Sequence, residues 1–185
     1  MKVSSPIETV SFSLESLRTG YENGKFSVVD LVNEVFRRIN ERGDDGVWTY
    51  LPDIAQVLNK ANSLLDIDPK SLPLYGIPFC VKDNIHVEGM PTTASCPSIA
   101  FLPEETASVV KRLEDAGAIL IGKNTMDQFA TGLVGVRSPE HPVNLFDSDY
   151  IPGGSSSGSA VAVAAGLVSF SLGSDTVVQV VYPLL

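Results

Sequence analysis

Residues 151–159 read I-P-G-G-S-S-S-G-S and run directly into the small apolar segment A-V-A-V-A-A-G at 160–166. Two adjacent glycines allow the backbone to fold tightly. The hydroxyls and the start of the helix-forming segment then gather side-chain oxygens and helix N-terminal N–H groups at one spot. A flexible Gly/Ser linker has the same composition, but a linker has no need of Pro152 before it or of the apolar chain 160–172 behind it. A nucleotide- or phosphate-binding loop fits poorly, because there is no G-x-G-x-x-G and no lysine follows the glycines.

The rest of the chain reads as scaffold for such a loop. Residues 10–66 read as helical. Ser27-Val28-Val29-Asp30 resembles a capping box, and Val28, Leu31, Val32, Val35, Phe36 and Ile39 recur at helical spacing up to Gly43. A second helix starts at Asp53 and carries Ile54, Val57, Leu58, Ala61 and Leu65 on one side. Residues 73–78 read as a loop, and 77–81 as a short buried strand with Lys82 at its end. Residues 106–116 predict a helix with Val109, Val110 and Leu113 inward, closing at Gly117, and 118–121 a second strand. Strand, helix, strand implies parallel pairing through a right-handed crossover, hence an α/β fold. The glycine-punctuated segment 124–139 is expected to line the site.

Composition narrows the function classes. The 185 residues suffice for one core. A net charge of −9 argues against a nucleic acid or an anionic membrane as partner. The apolar run 160–172 is too short and too rich in Gly and Ser to span a bilayer. Cys80, Cys96, His86 and His141 lack metal-ligand spacing, so neither a metal nor another cofactor is expected. With only two cysteines and no signal-like pattern over 1–10, the expected setting is the cytoplasm.

Taken together, P-G-G-S-S-S-G-S-A-V-A-V-A-A-G, V-K-D-N at 81–84, P-T-T-A at 91–94, G-A-I-L-I-G-K at 117–123 and M-D-Q-F-A-T-G-L-V-G-V-R-S-P at 126–139 resemble, in the same order, the amidase signature family. Within it they are most similar to the allophanate hydrolases. The resemblance runs from about residue 10 to Thr176. Two departures are visible: Asn124-Thr125 stands where the family usually reads T-N, and the loop 140–148 is about one residue short. The resemblance implies an incomplete amidase signature fold, a mixed, largely parallel sheet flanked by helices behind an N-terminal helical region. In those terms residues 1–185 are the N-terminal portion of a single amidase domain: a helical leader over 1–70, part of the catalytic core over 71–176 and an aberrant tail over 177–185.

The resemblance also implies a chemistry. Amide hydrolysis needs an activated nucleophile, a proton shuttle and donors for the developing oxyanion. The family uses a Ser-cis-Ser-Lys triad in which a buried, neutral lysine, matched by Lys82, deprotonates a serine on a cis peptide, matched by Ser155. Gly153, Gly154, Ser156, Asp175 and Thr176 match its loop and oxyanion support, and Gln128 and Ala130 match residues lining the substrate. The substrate would be a small-molecule amide, allophanate in urea degradation, and a homo-oligomer is open for a full-length member. The rival enzyme reading is the amidase subunit of the glutamyl-tRNA amidotransferase, which requires protein partners and tRNA.

The nucleophile of that triad falls at position 179, which is glutamine, and the expected D-T-A-G-S-G-R turn is kept through Asp175-Thr176 and then gives way to V-V-Q-V-V-Y-P-L-L over 177–185. An amide is not a nucleophile, and β-branched valines replace the glycines that let backbone N–H groups reach an oxyanion. A single-base deletion accounts for the tail. Written as GCT GGT TCA GGT CGT GTA CCC GCT GCT, the expected A-G-S-G-R-V-P-A-A loses its second base and becomes GTG GTT CAG GTC GTG TAC CCG CTG CT, which encodes the observed tail once any base completes the last codon. The expectation is therefore an amidase lineage in a chain that, as written, is inactive: a truncated, non-catalytic fragment.

Overall fold

The structure, a computed structural model, describes Ile7 and residues 10–175, so the tail 177–185, with Thr176 and Gln179, lies outside the described residues. Helix α1 (Leu14–Glu22) opens on Ser13, whose hydroxyl accepts from the Ser16 N–H at 3.3 Å. Helix α2 (Val28–Arg42) has the capping box expected from its sequence. Ser27 Oγ accepts from Asp30 N at 3.1 Å, and Asp30 Oδ2 accepts from Ser27 N at 2.8 Å, so two otherwise unpaired donors are satisfied reciprocally. Gly43, at φ 70°, ends it in the left-handed region that glycine enters without strain. Helix α3 (Ile54–Asn62) starts at Asp53, whose carboxylate accepts from Ala55 N at 2.7 Å.

Four strands follow the order β1-β3-β2-β4: β1 (Trp48–Tyr50), β2 (Pro78–Lys82), β3 (Ile119–Asn124) and β4 (Phe170–Leu172). β2 runs parallel to both β3 and β4, while β1 is antiparallel to β3, so the sheet is mixed and largely parallel. Helix α4 (Ser108–Asp115) makes the crossover from β2 to β3, and α5 (Ser157–Ala164) precedes β4. β2 and β3 are buried along their whole lengths, as central strands covered on both faces must be.

Alternation along β2 sends Phe79 and Val81 into a small core with Val110, Ala118 and Leu120. It sends Cys80 into the larger one with Leu31, Val32 and Val35 of α2, Val161 and Ala162 of α5, and Ile121. Phe79 and Phe170 stack across the β2–β4 pair, with ring centroids 5.3 Å apart. Arg38 ties the helical layer to the exit of α5: its guanidinium donates to Gly166 O and Val10 O, both at 2.9 Å, and lies 3.9 Å over the Phe12 ring.

Three sequence expectations need correction. The helical reading of 10–66 misses β1, a three-residue strand whose side chains are all half-buried. Val109 is not inward: it is 47% exposed, and Val110 is the residue of α4 that is buried. Leu65 lies beyond the last turn of α3 and is exposed.

The two anchors of α2 should separate cleanly in denaturation experiments. Leu31→Ala empties a fully buried site and is expected to cost about 3 kcal/mol, whereas Ser27→Ala removes the cap and is expected to cost about 1 kcal/mol.

Candidate active site

Lys82 closes β2 and has no exposed surface. The alternation that places Cys80 toward α5 turns Lys82 the same way, and its ammonium donates to Ser155 Oγ at 2.6 Å and to Ser174 O at 3.3 Å. Ser155 is itself fully buried and sits two residues before α5, after a cis peptide bond from Gly154. The glycines matter here for different reasons. Gly153 takes φ 77°, and a Cβ on Gly154 would come within 2.6 Å of the Gly135 backbone nitrogen.

Burial disfavours the charged amine and is the dominant influence on Lys82. The negative charges of Asp127 and Asp175 oppose it, and the balance lowers the pKa from 10.5 to about 8. An amine so placed is partly neutral near pH 8 and lies within hydrogen-bond reach of the Ser155 hydroxyl.

Other residues read from the sequence fall into place around this pair or beside it. Ser156 is buried at the cap of α5, and Asp175, although exposed, acts on Lys82 through its charge. Gln128 donates from Nε2 to Ser95 O at 3.1 Å, and Ala130 takes φ 57°, so both belong to the junction between the segments 91–95 and 126–130. Thr176 and position 179 lie outside the described residues.

Three buried charged residues that the sequence does not single out complete the site. Asp83 and Lys123 form an ion pair at 3.3 Å on the side of β2 opposite Lys82. Lys123 Nζ also donates to Pro91 O at 2.9 Å and Thr92 Oγ1 at 2.7 Å. Asp83 Oδ2 accepts from the Thr93 hydroxyl and from Ser95 N at 3.0 Å. Burial lowers the pKa of Lys123, with Asp83 opposing the shift. The pair thus pins the segment 91–95. That segment in turn holds 126–130, through Met126 N to Ser95 Oγ at 2.9 Å and Phe129 N to Ala94 O at 3.2 Å.

Ala94, Ser95, Phe129 and Ala130 all adopt left-handed backbone, with φ between 49° and 57°. Four non-glycine residues in that region at one junction carry strain of order 1 kcal/mol or more each. The third charged residue, Asp127, is fully buried and accepts from the backbone N–H groups of Val134, Gly135 and Arg137. The only sequence signals for these three are the charges in K-D-N, G-K and M-D-Q-F, each beside apolar or turn residues.

A family model described as Amidase matches residues 30–180. The urea amidolyase of Saccharomyces cerevisiae is 48% identical over 134 residues, covering 71% of this chain and 7% of that protein. A glutamyl-tRNA(Gln) amidotransferase subunit from an Exiguobacterium species is 45% identical over 163 residues, covering 86% of this chain and 34% of that one. The solved allophanate hydrolase of Kluyveromyces lactis superposes with a TM-score of 0.80 at 39% identity, over 91% of this chain and 28% of that one. The chain thus spans about a third or less of the length of these relatives. Among the described residues, no cluster of His, Cys, Asp and Glu could hold a metal ion, and no helix is long and apolar enough to cross a membrane.

The depressed pKa of Lys82 couples stability to pH. The folded value of about 8 lies below the ordinary 10.5, so between those values the unfolded chain holds more protons than the folded one. Stability should therefore rise as pH increases through that window, by roughly 3 kcal/mol in total from this group, and this contribution should be flat below it. Urea denaturation of the unsubstituted chain and of Lys82→Met across the window should show the rise in the first and its loss in the second.

Proposed function

The chain belongs to the amidase family, and we propose that it carries the proton-handling part of an amide hydrolase whose substrate is a small linear amide, with allophanate as that amide. One observation carries the reading: Lys82 Nζ lies 2.6 Å from Ser155 Oγ with both groups shut away from water. Burying a lysine against a neutral hydroxyl costs desolvation free energy and brings little structural benefit, which favours a use for its altered basicity.

In the proposed reaction neutral Lys82 takes the proton of Ser155. Ser155 takes that of an attacking hydroxyl, and the same path returns a proton to the leaving nitrogen. The attacking group belongs at position 179, where this chain has glutamine. In a hydrolase whose triad acts as a unit, such a loss costs about 10⁶-fold in turnover. The 185-residue sequence is therefore read as inactive, with a frameshift after Thr176 as the origin of its tail.

Allophanate is favoured by the similarity to the yeast urea amidolyase and to the Kluyveromyces allophanate hydrolase. The second reading, an amidotransferase subunit, is supported by the amidotransferase match, which covers more of the chain at nearly equal identity.

Sequencing the encoding DNA through and beyond the Thr176 codon tests the origin of the tail. One added base should restore Ala-Gly-Ser-Gly-Arg and an open frame; an intact frame encoding Val177–Val181, with no neighbouring frame that restores the serine, would refute the frameshift. Ammonia release tests the substrate. The frame-restored protein should release ammonia from allophanate without any partner, and the 185-residue chain should release none. Activity that appears only with glutamine, partner subunits and tRNA would favour the amidotransferase reading.

A further inference from the structure

Asp127 acts on the Lys82 amine through its charge, and the placement of Ser155 also runs through it. Its Oδ1 accepts from Arg137 N at 2.8 Å, and its Oδ2 accepts from Gly135 N at 3.0 Å and Val134 N at 3.2 Å, so loop 133–137 is wrapped around one buried carboxylate. That loop holds the residue before Ser155, since Leu133 O accepts from Gly154 N at 3.0 Å. The backbone of Asp127 holds Ser155 itself, donating from its N–H to Ser155 O at 3.0 Å. Gly154 packs directly on the Asp127 carboxylate and on Gly135, leaving no space for a side chain.

We infer that Asp127 is a positioning residue of this site: its carboxylate shapes the loop that seats Ser155 against Lys82, and its negative charge keeps the Lys82 amine a competent proton acceptor. The inference rests on the reading of Lys82 and Ser155 as a proton-transfer pair. Its logic is electrostatic. Full burial alone can depress a lysine by up to about 5 units, which would leave an amine too weakly basic to deprotonate a hydroxyl. A fixed anion nearby returns part of that basicity.

The charged groups around Lys82 are few. Asp127 and Asp175 act on it, while Asp83, the next residue in the chain, is engaged with Lys123 on the opposite side of the strand. The hydroxyl of Ser155, the carbonyl of Ser174 and the amide of Asn84, which donates to Ser174 Oγ at 3.0 Å, are neutral.

The test is an NMR titration of the ¹³C-lysine-labelled 185-residue chain, following the Lys82 Cε–Hε signal, assigned by its loss in Lys82→Met, from neutral to alkaline pH. Asp127→Asn should lower the midpoint by about one unit, whereas Asp127→Glu, which keeps the charge, should not. An unmoved midpoint in Asp127→Asn, or an equal fall in both variants, overturns the electrostatic role. Should the variants fail to fold, the unsubstituted chain still decides. In the same chain labelled with ¹³C-aspartate, the Asp127 carboxyl ¹³Cγ shift should inflect at the Lys82 midpoint and lose that inflection in Lys82→Met, and a featureless curve overturns the inference. The two failures are distinct. An ordinary lysine midpoint in the unsubstituted chain removes the proton-transfer pair itself, while a depressed midpoint indifferent to Asp127 removes only the role of Asp127.

Discussion

Enclosing the Lys82 amine beside the Ser155 hydroxyl is the constraint from which the rest of this structure can be understood. An amine without solvent needs a scaffold stiff enough to keep water out and close enough to supply compensating dipoles and charges. The chain meets the first need with β2, a strand buried along its whole length between two cores and flanked on both sides by parallel neighbours. It meets the second with the Ser155 hydroxyl, the Ser174 carbonyl and the more distant carboxylates of Asp127 and Asp175.

The two faces of the β2 terminus divide the work. Lys82 turns toward α5 and the serine loop, and Asp83 turns toward Lys123 and the 91–95 segment. The second pair is charge-compensated and bonded to both the backbone and the hydroxyls of the 91–95 segment, so it acts as a clamp, fixing a junction at which four non-glycine residues hold left-handed backbone. Strain of that kind persists only where surrounding contacts over-determine it. Here those contacts converge from β2, β3 and the 91–95 and 126–130 segments.

Much of this is legible in the sequence, for reasons that differ by element. Helix α2 announces both its cap and its buried stripe because both signals are local, within four residues of each other. β2 and β3 are legible as short apolar runs, and the helix between them fixes their parallel pairing. β1 is not, because three half-buried residues carry no periodicity. Val109 misleads because neighbouring residues point about 100° apart on a helix, and the sequence does not say which of the two valines turns to the core; in α4 it is Val110. Lys82 and Ser155 stand out only through the resemblance of their motifs. Asp83, Lys123 and Asp127 escape because their partners are mostly backbone groups of loops, which leave no side-chain pattern to read.

The order of the strands has a consequence for how such a site comes into being. β2 sits between β3 and β4, and the bond from Ser171 to Cys80 that accompanies its pairing with β4 spans 91 residues, as the contact of Lys82 with Ser155 spans 73. Contacts this distant in sequence require large loops to close before they return any stability, so they form slowly and late. During synthesis Lys82 emerges well before the serine that will enclose it. Until then the strand that carries it has one unpaired edge and an amine still in water. The altered basicity of Lys82 is thus acquired at the end of folding, when the last parallel strand closes over the first.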